Sequence, residues 1–434
     1  MKNEDIIAKN KEYLLFPWLT QDEAWPLPVE RAEGVYFFDA EGKRYLDLSA
    51  QLVNANIGHQ HPKAIAALKA QADILTFAAP AFSNSKKGEC AQKVIERLPQ
   101  SFGKVFFTNG GADANENAIK IARFFTGRFK IFSRYRSYHG ATAGAMALSG
   151  DPRRIAAEPS IPGMVKFLDP YCYRCPFGQK RESCRLECAQ HFEELVGYEG
   201  PQAIAAVFME TVTGTNGIIV PPEGYLQKIR KVCDQHGILL ICDEVMAGFG
   251  RTGKRFAFEN FGIEPDIVTM AKGITCGYIP LGAVAVKKDI AAYFDTHYLS
   301  AGLTYSGHTL AVATASAVID IYDEEKLPEN ATRVGAYAKE RLSDLERNHP
   351  AIGDIRGLGL FIGLEFVKNR ETKEMMDGKT MGQFKAANLK DGLYHMTYNN
   401  ILQFAPPLII TEAQIDEAIA VLDKNMVILD AACH

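Results

Sequence analysis

The chain has 434 residues, 47% of them hydrophobic and 23% charged, with a formal net charge of -4. That length exceeds one ordinary core and implies two domains of unequal size, while the slight acidity and the lack of a basic cluster argue against a nucleic-acid partner. No apolar run approaches the length needed to cross a bilayer, and the N-terminus, MKNEDIIAKNKEYLLFPW, mixes acids with lysines and lacks a signal-peptide core, which suggests a cytoplasmic protein.

Residues 1 to about 30 are polar with an aromatic group at Phe16, Trp18 and Trp25. Gly34 to Leu48 alternates and turns at Glu41-Gly42, the pattern of a hairpin, and a helix is expected after His61-Pro62. Val105 to Thr108 reads as a short strand delivering Asn109-Gly110-Gly111-Ala112-Asp113 to the start of a helix with Ile119, Ala122 and Phe125 on its apolar face. Small residues at a helix start make an anion site, because free N–H groups and the dipole favour phosphate and glycine permits close backbone approach. Ile131 to Tyr138 then runs into His139-Gly140, an aromatic at a strand end that can lie flat against a heterocycle.

Four of the nine cysteines, Cys172, Cys175, Cys184 and Cys188, fall in a polar stretch at about 170-190. Paired cysteines suit a tetrahedral structural zinc, although the C-x8-C gap is short for the two-knuckle pattern. The other reading is an insertion of free thiols, as a reducing compartment favours.

Ala203 to Glu210 is a buried-strand pattern ending in an acid. Ile238 to Cys242, after Gly237, is a second, and it delivers Asp243 and Glu244 to its carboxyl end, where ligands gather in open α/β sheets. Ile267 to Met270 is a third, closed by Ala271-Lys272-Gly273 and the glycine-rich stretch Gly277 to Gly282. An isolated acid reads equally as a cap or a surface carboxylate. A lysine closing an apolar strand is desolvated, which lowers its pKa and makes the amine a nucleophile and base. An acid and an amine at adjacent strand ends suit a cofactor that is both carbonyl and pyridine: lysine forms a Schiff base with pyridoxal phosphate, and a carboxylate keeps the ring nitrogen protonated. Beyond Ala311 the pattern predicts a helix to Tyr322, an acidic turn, an amphipathic helix through about Arg347, and a half-buried strand with glycine bends over Ile355 to Phe366.

The ordered set of Asp243-Glu244-Val245, GFGRTG at Gly248 to Gly253, Pro265-Asp266, and Lys272 with its glycine-rich tail resembles the class III (ω-) aminotransferases of the fold type I pyridoxal phosphate enzymes. The resemblance lies nearest the ω-amino acid:pyruvate and taurine branch. It implies an α/β fold with a large domain over 61-320, built on a mostly parallel seven-stranded sheet flanked by helices, and a smaller α/β domain over 321-434. An N-terminal arm and hairpin over 1-60 would pack with the small domain and a dimer partner. Lys272 would hold the cofactor, Asp243 its ring nitrogen, and Glu210 would support both. Gly111 and Ala112 would take the phosphate, although GGADAN replaces the family's SGSEAN and a serine hydroxyl is missing. Tyr138 and Val245 would flank the ring, with His139 beside Tyr138. Thr304, in LTYSGH, would reach the cofactor of the partner subunit, so the expected assembly is a homodimer or a dimer of dimers with shared active sites. Trp18, Gln51, Val53 and Tyr138 would line the substrate side.

The reaction so implied is ping-pong transfer of an amino group from a small ω-amine or ω-amino acid (taurine, β-alanine or 4-aminobutyrate class) to a keto acid, pyruvate or 2-oxoglutarate. Met246 stands where the acetylornithine and ornithine branches commonly carry glutamine. The arginine that usually precedes the APPL run is missing from DGLYHMTYNNILQFAPPL, Asp391 to Leu408, which leaves His395, Tyr398, Asn399 and Asn400 as polar candidates. Another fold type I reaction, such as that of an aminomutase, racemase or decarboxylase, keeps the same Lys272 and Asp243. A cofactor-binding protein without turnover is disfavoured by the intact Lys272, Asp243 and Glu210 set. A nucleotide-binding protein built on Gly110-Gly111 would lack the Walker lysine and serine.

Overall fold

The computed structural model describes residues 2–23 and 26–434, so Trp25 of the N-terminal aromatic group lies outside the described residues. Seven short apolar runs form the central sheet: β1 (Phe102–Thr108), β2 (Lys130–Arg134), β3 (Met164–Phe167), β4 (Ile204–Glu210), β5 (Leu239–Asp243), β6 (Ile267–Met270) and β7 (Gly282–Lys287). Their order is β1-β7-β6-β5-β4-β2-β3. Only the pairings of β7 with β1 and β6 are antiparallel, so the sheet is mostly parallel as expected. β4, β5 and β6 are buried along their whole lengths, the consequence of helices covering both faces of a parallel sheet. Parallel strands bring their carboxyl ends to one edge. The register pairs Glu210 with Asp243 and Asp243 with Thr269, so both acids meet Lys272, which follows β6, along that edge.

α1 (Gly111–Thr126) leaves β1 through Gly110 and stops at Gly127 in the left-handed conformation, φ +65°. Its buried Ala114, Ala118, Ile119 and Ala122 pack with Ala206 and Phe208 of β4 and Ile241 of β5. The sheet therefore fixes where the first turn of α1 points.

Near the N-terminus, strands Val29–Glu33, Tyr36–Asp39 and Arg44–Asp47 form a meander, with the expected turn at Gly42, φ +87°. Its fourth strand comes from far along the chain: Leu393–Tyr394 lies parallel to Leu46–Asp47. The helix after His61 spans Pro62–Ala72. Beyond the central sheet, α2 (Thr309–Glu324) and α3 (Leu327–Asn348) lead into a five-stranded sheet backed by α4 (Gly378–Lys390) and α5 (Glu412–Asp430). The single strand expected over Ile355 to Phe366 is an antiparallel pair, Ile352–Leu358 and Phe361–Asn369. Gly359 at φ +55° makes the reversal between Leu358 and Phe361, and Phe361 to Val367 is buried throughout rather than half-buried, so the alternating sequence does not reveal the turn. No helix among the described residues is long and apolar enough to cross a membrane.

Candidate active site

Asp243 ends β5 at 3% exposure, with donors arriving from three separate elements. Its Oδ2 accepts from Asn115 Nδ2 of α1 at 2.8 Å and lies 2.7 Å from His139 Nδ1, and its Oδ1 accepts from the Val245 amide at 3.0 Å. Asn115 also donates to the His139 carbonyl at 2.7 Å, and the His139 amide to Ser149 Oγ at 2.8 Å, so the carboxylate has one orientation. Glu244 has a different task. It accepts from Thr211 Oγ1 and from the amides of Ala257 and Phe258 at 2.6–3.1 Å, capping the turn Ala257–Phe261, and burial pushes its carboxyl up to about 7.

Glu210, at the end of β4, accepts from the Tyr138 amide at 3.1 Å and the Gly214 amide at 2.6 Å, and burial raises its carboxyl. Lys272 follows β6 with φ +43°, a rare conformation for a residue with a side chain. Burial lowers its amine, and the charges of Arg153 and Arg251 act the same way, against Asp243 and Glu210. A neutral amine is the nucleophile.

A cavity of about 190 Å³ lies among Glu210, Asp243 and Lys272. Gly111 and Ala112 line it at the N-terminus of α1, where free amides and the helix dipole favour an anion. Tyr138, His139, Val245, Thr215 and Met246 also line it. The glycines keep it open: a Cβ on Gly111 would come to 3.0 Å from Val245 Cγ1, and one on Gly140 would run into Ala112.

The structure thus brings together eight of the residues singled out from sequence, namely Lys272, Asp243, Glu210, Gly111, Ala112, Tyr138, His139 and Val245. Others stand outside the cavity wall. Gln51 turns its Nε2 onto Asp47 at 3.0 Å, and Val53 is buried in a cluster with Met246 and Ala247. Trp18 is 65% exposed. Thr304 is exposed, in a loop whose Ser306 Oγ donates to Phe107 O of β1 at 2.6 Å. Cys172, Cys175, Cys184 and Cys188 are free thiols, and among the described residues no three His, Cys, Asp or Glu side chains converge to hold a metal ion.

Of the four polar candidates before the APPL run, His395 is buried against Asn388 at 2.9 Å, and Asn400 donates to Phe366 O at 2.6 Å. Asn399 is a turn residue at φ +51°. Tyr398 instead lies beside Asp151, and burial together with that carboxylate pushes its hydroxyl up to about 12. Asp151 holds Arg153 through bonds of 2.7 and 3.0 Å, and the Arg153 guanidinium sits 3.8 Å over the Tyr138 ring. Sequence reading missed Arg153, because Asp-Pro-Arg at the start of the short 3-10 turn Pro152–Ala157 carries no spacing signal. It also passed over Asn115, although GGADAN places that side chain one turn into α1, on the face toward the cavity.

The family model for class III aminotransferases matches residues 19–426. Taurine–pyruvate aminotransferase from Bilophila wadsworthia is 36% identical over 443 residues, covering 97% of this chain and 96% of that protein. A leucine/methionine racemase from Thermococcus litoralis is 34% identical over 429 residues, covering 98% and 95%. Among solved structures, taurine:2-oxoglutarate aminotransferase from Bifidobacterium kashiwanohense, in complex with pyridoxal phosphate and glutamate, matches with a TM-score of 0.96 and 44% identity over 99% of both chains. A buried acid, a desolvated lysine and a helix start around one cavity fit the cofactor that this family uses. The chain belongs to the class III aminotransferases, pyridoxal phosphate enzymes of fold type I.

Proposed function

We propose that the enzyme moves an amino group from a small ω-amine bearing an acidic group, of the taurine, β-alanine or 4-aminobutyrate class, to pyruvate or 2-oxoglutarate in a ping-pong cycle. Arg153 is the observation that carries this reading. It offers a held, planar cation beside Tyr138, where the usual arginine before the APPL run is missing. Its Nε and Nη2 already pair with Asp151, so a substrate carboxylate or sulfonate would meet the Nη1 side of the guanidinium. The names of the taurine aminotransferase relatives agree with it.

Bound pyridoxal phosphate supplies an electrophilic carbonyl and an electron-accepting ring. Lys272 would contribute the amine that holds it and would move a proton at the substrate carbon through Nζ. Asp243, pinned by Asn115, His139 and Val245, would face the ring nitrogen of the bound cofactor. Glu210 would position ring and substrate groups, the amides of Gly111 and Ala112 would take the phosphate, and Tyr138 and Val245 would flank the ring.

The same reading has Thr304 completing the phosphate site of a second subunit in a homodimer or dimer of dimers. Exposed Leu15, Trp18, Ile74, Phe82 and Tyr305 support such burial. Residues 1-60, 61-320 and 321-434 are then arm, large domain and small domain. The free cysteines support a cytoplasmic setting.

The test is the visible spectrum of wild type and Lys272→Ala, with a panel of ω-amines and no keto acid. The wild type is expected to show a cofactor band that taurine or β-alanine bleaches, and the variant is not. A wild type with no band after addition of pyridoxal phosphate would overturn the site assignment. The racemase relative supports a second reading. Loss of optical rotation from an α-amino acid without a keto acid would establish racemisation in place of transfer.

A further inference from the structure

Lys272 is held in a left-handed backbone conformation, φ +43°, which an L-residue keeps only where its surroundings enforce it. The enforcement is visible. The Lys272 carbonyl accepts from the amides of Thr275 at 3.2 Å and Cys276 at 2.8 Å. The next carbonyl, that of Gly273, accepts twice from side chains: from Tyr322 Oη of α2 at 2.9 Å and from Cys276 Sγ at 3.4 Å. Oη and Sγ are themselves 3.1 Å apart. Gly273 has no room for a side chain, since a Cβ would stand 2.7 Å from Phe249 Cβ and 2.9 Å from Asn56 Nδ2.

Below this turn lies a fully buried cation, Arg251. It donates to Asn56 Oδ1 at 2.6 Å, to Leu360 O at 3.2 Å and to Pro406 O, all neutral oxygens. Asn56 Nδ2 donates in turn to Phe249 O at 3.2 Å. The lysine turn therefore rests on a buried polar floor that reaches the C-terminal sheet. Burial raises the Tyr322 hydroxyl well above its ordinary range, so it remains a donor.

We propose that the Tyr322 hydroxyl and the Cys276 thiol act together as a clamp on the Gly273 carbonyl that positions Lys272 for proton transfer, a proposal that rests on Lys272 being the lysine that carries the cofactor. Both are positioning residues, acting through the backbone rather than on substrate. The reaction is sensitive to such placement, because an error of about 1 Å slows chemistry roughly a hundredfold.

The test compares the holoenzymes of wild type, Tyr322→Phe, Cys276→Ala, Cys276→Ser and Lys272→Ala. Tyr322→Phe and Cys276→Ala are expected to keep full cofactor and an amine KM within about twofold of wild type, while kcat falls roughly tenfold. Cys276→Ser retains a donor to Gly273 and is expected to turn over near the wild-type rate. A general packing role would move KM and melting temperature with kcat and would not be rescued by serine. The clamp is overturned if Tyr322→Phe and Cys276→Ala both turn over like wild type, or if Cys276→Ser is as slow as Cys276→Ala. Should Tyr322→Phe not fold, the two Cys276 variants decide alone. Lys272→Ala separates the two claims. If it keeps the wild-type visible band, the lysine assignment fails; if it loses the band while the clamp variants match wild type, only the clamp fails.

Discussion

Asp243 lies in the cavity wall as a pinned acid, and Arg153 is held by Asp151 over Tyr138, itself a wall residue. Asp243→Asn keeps the shape and removes the charge. It is expected to lower kcat about a hundred- to a thousandfold with cofactor still bound, as steady-state rates and cofactor content will show. Arg153→Met removes a charge-assisted pair. The KM for taurine is expected to rise roughly ten- to a hundredfold, with little change for an uncharged amine of similar length. Arg153 was illegible in sequence because its role depends on Asp151, Tyr138 and Tyr398, two of which lie outside its own turn. Lys272 and Asp243 were legible because each closes an apolar strand, and parallel pairing sends both to one edge.

At the scale of elements, strands β4 to β6 could be read from their composition, since a strand covered on both faces is apolar throughout. The hairpin over Ile352–Leu358 and Phe361–Asn369 could not, since alternation survives a tight turn. That turn has a close neighbour. Gly335 of α3 packs on it so tightly that a Cβ would collide with the Gly359 carbonyl. Gly335→Ala is expected to cost about 1–3 kcal/mol in chemical denaturation, despite the better helix propensity of alanine. His395 lies buried between the short strands Leu393–Tyr394 and Met396–Tyr398, ahead of the APPL run. Burial, with the Lys385 charge adding to it, pushes its imidazole from 6.5 down to about 3. The unfolded chain takes up that proton first, so the stability from neutral His395 is complete above pH 6.5 and is lost as pH falls toward 3. His395→Gln, which retains a partner for Asn388, should flatten the fall in melting temperature over that window.

At the scale of the whole molecule, the exposed aromatic and aliphatic side chains near Thr304 lead to an assembly test. Phe77 stacks edge-on against Tyr305 at 5.8 Å, and Lys87 ties the segment through Ala79 and Phe82 to the helix Ser85–Glu96, so the surface is already shaped in one chain. Co-expression of Lys272→Ala with Thr304→Asp is expected to restore activity that neither variant has alone. A mixed dimer contains one site with an intact lysine and an intact partner threonine. Activity no greater than the sum of the two would exclude shared sites.

The pairing of Leu393–Tyr394 with Leu46–Asp47 sets the order in which the polypeptide can be completed. A ribosome has released the first strands long before their last neighbour exists, and until then Arg44–Asp47 presents an open edge to other nascent chains. That four-stranded sheet therefore closes late, after all the residues between Asp47 and Leu393 have emerged. Loss of the chain from Leu393 onward would leave the strand Arg44–Asp47, as well as the C-terminal sheet, without a partner.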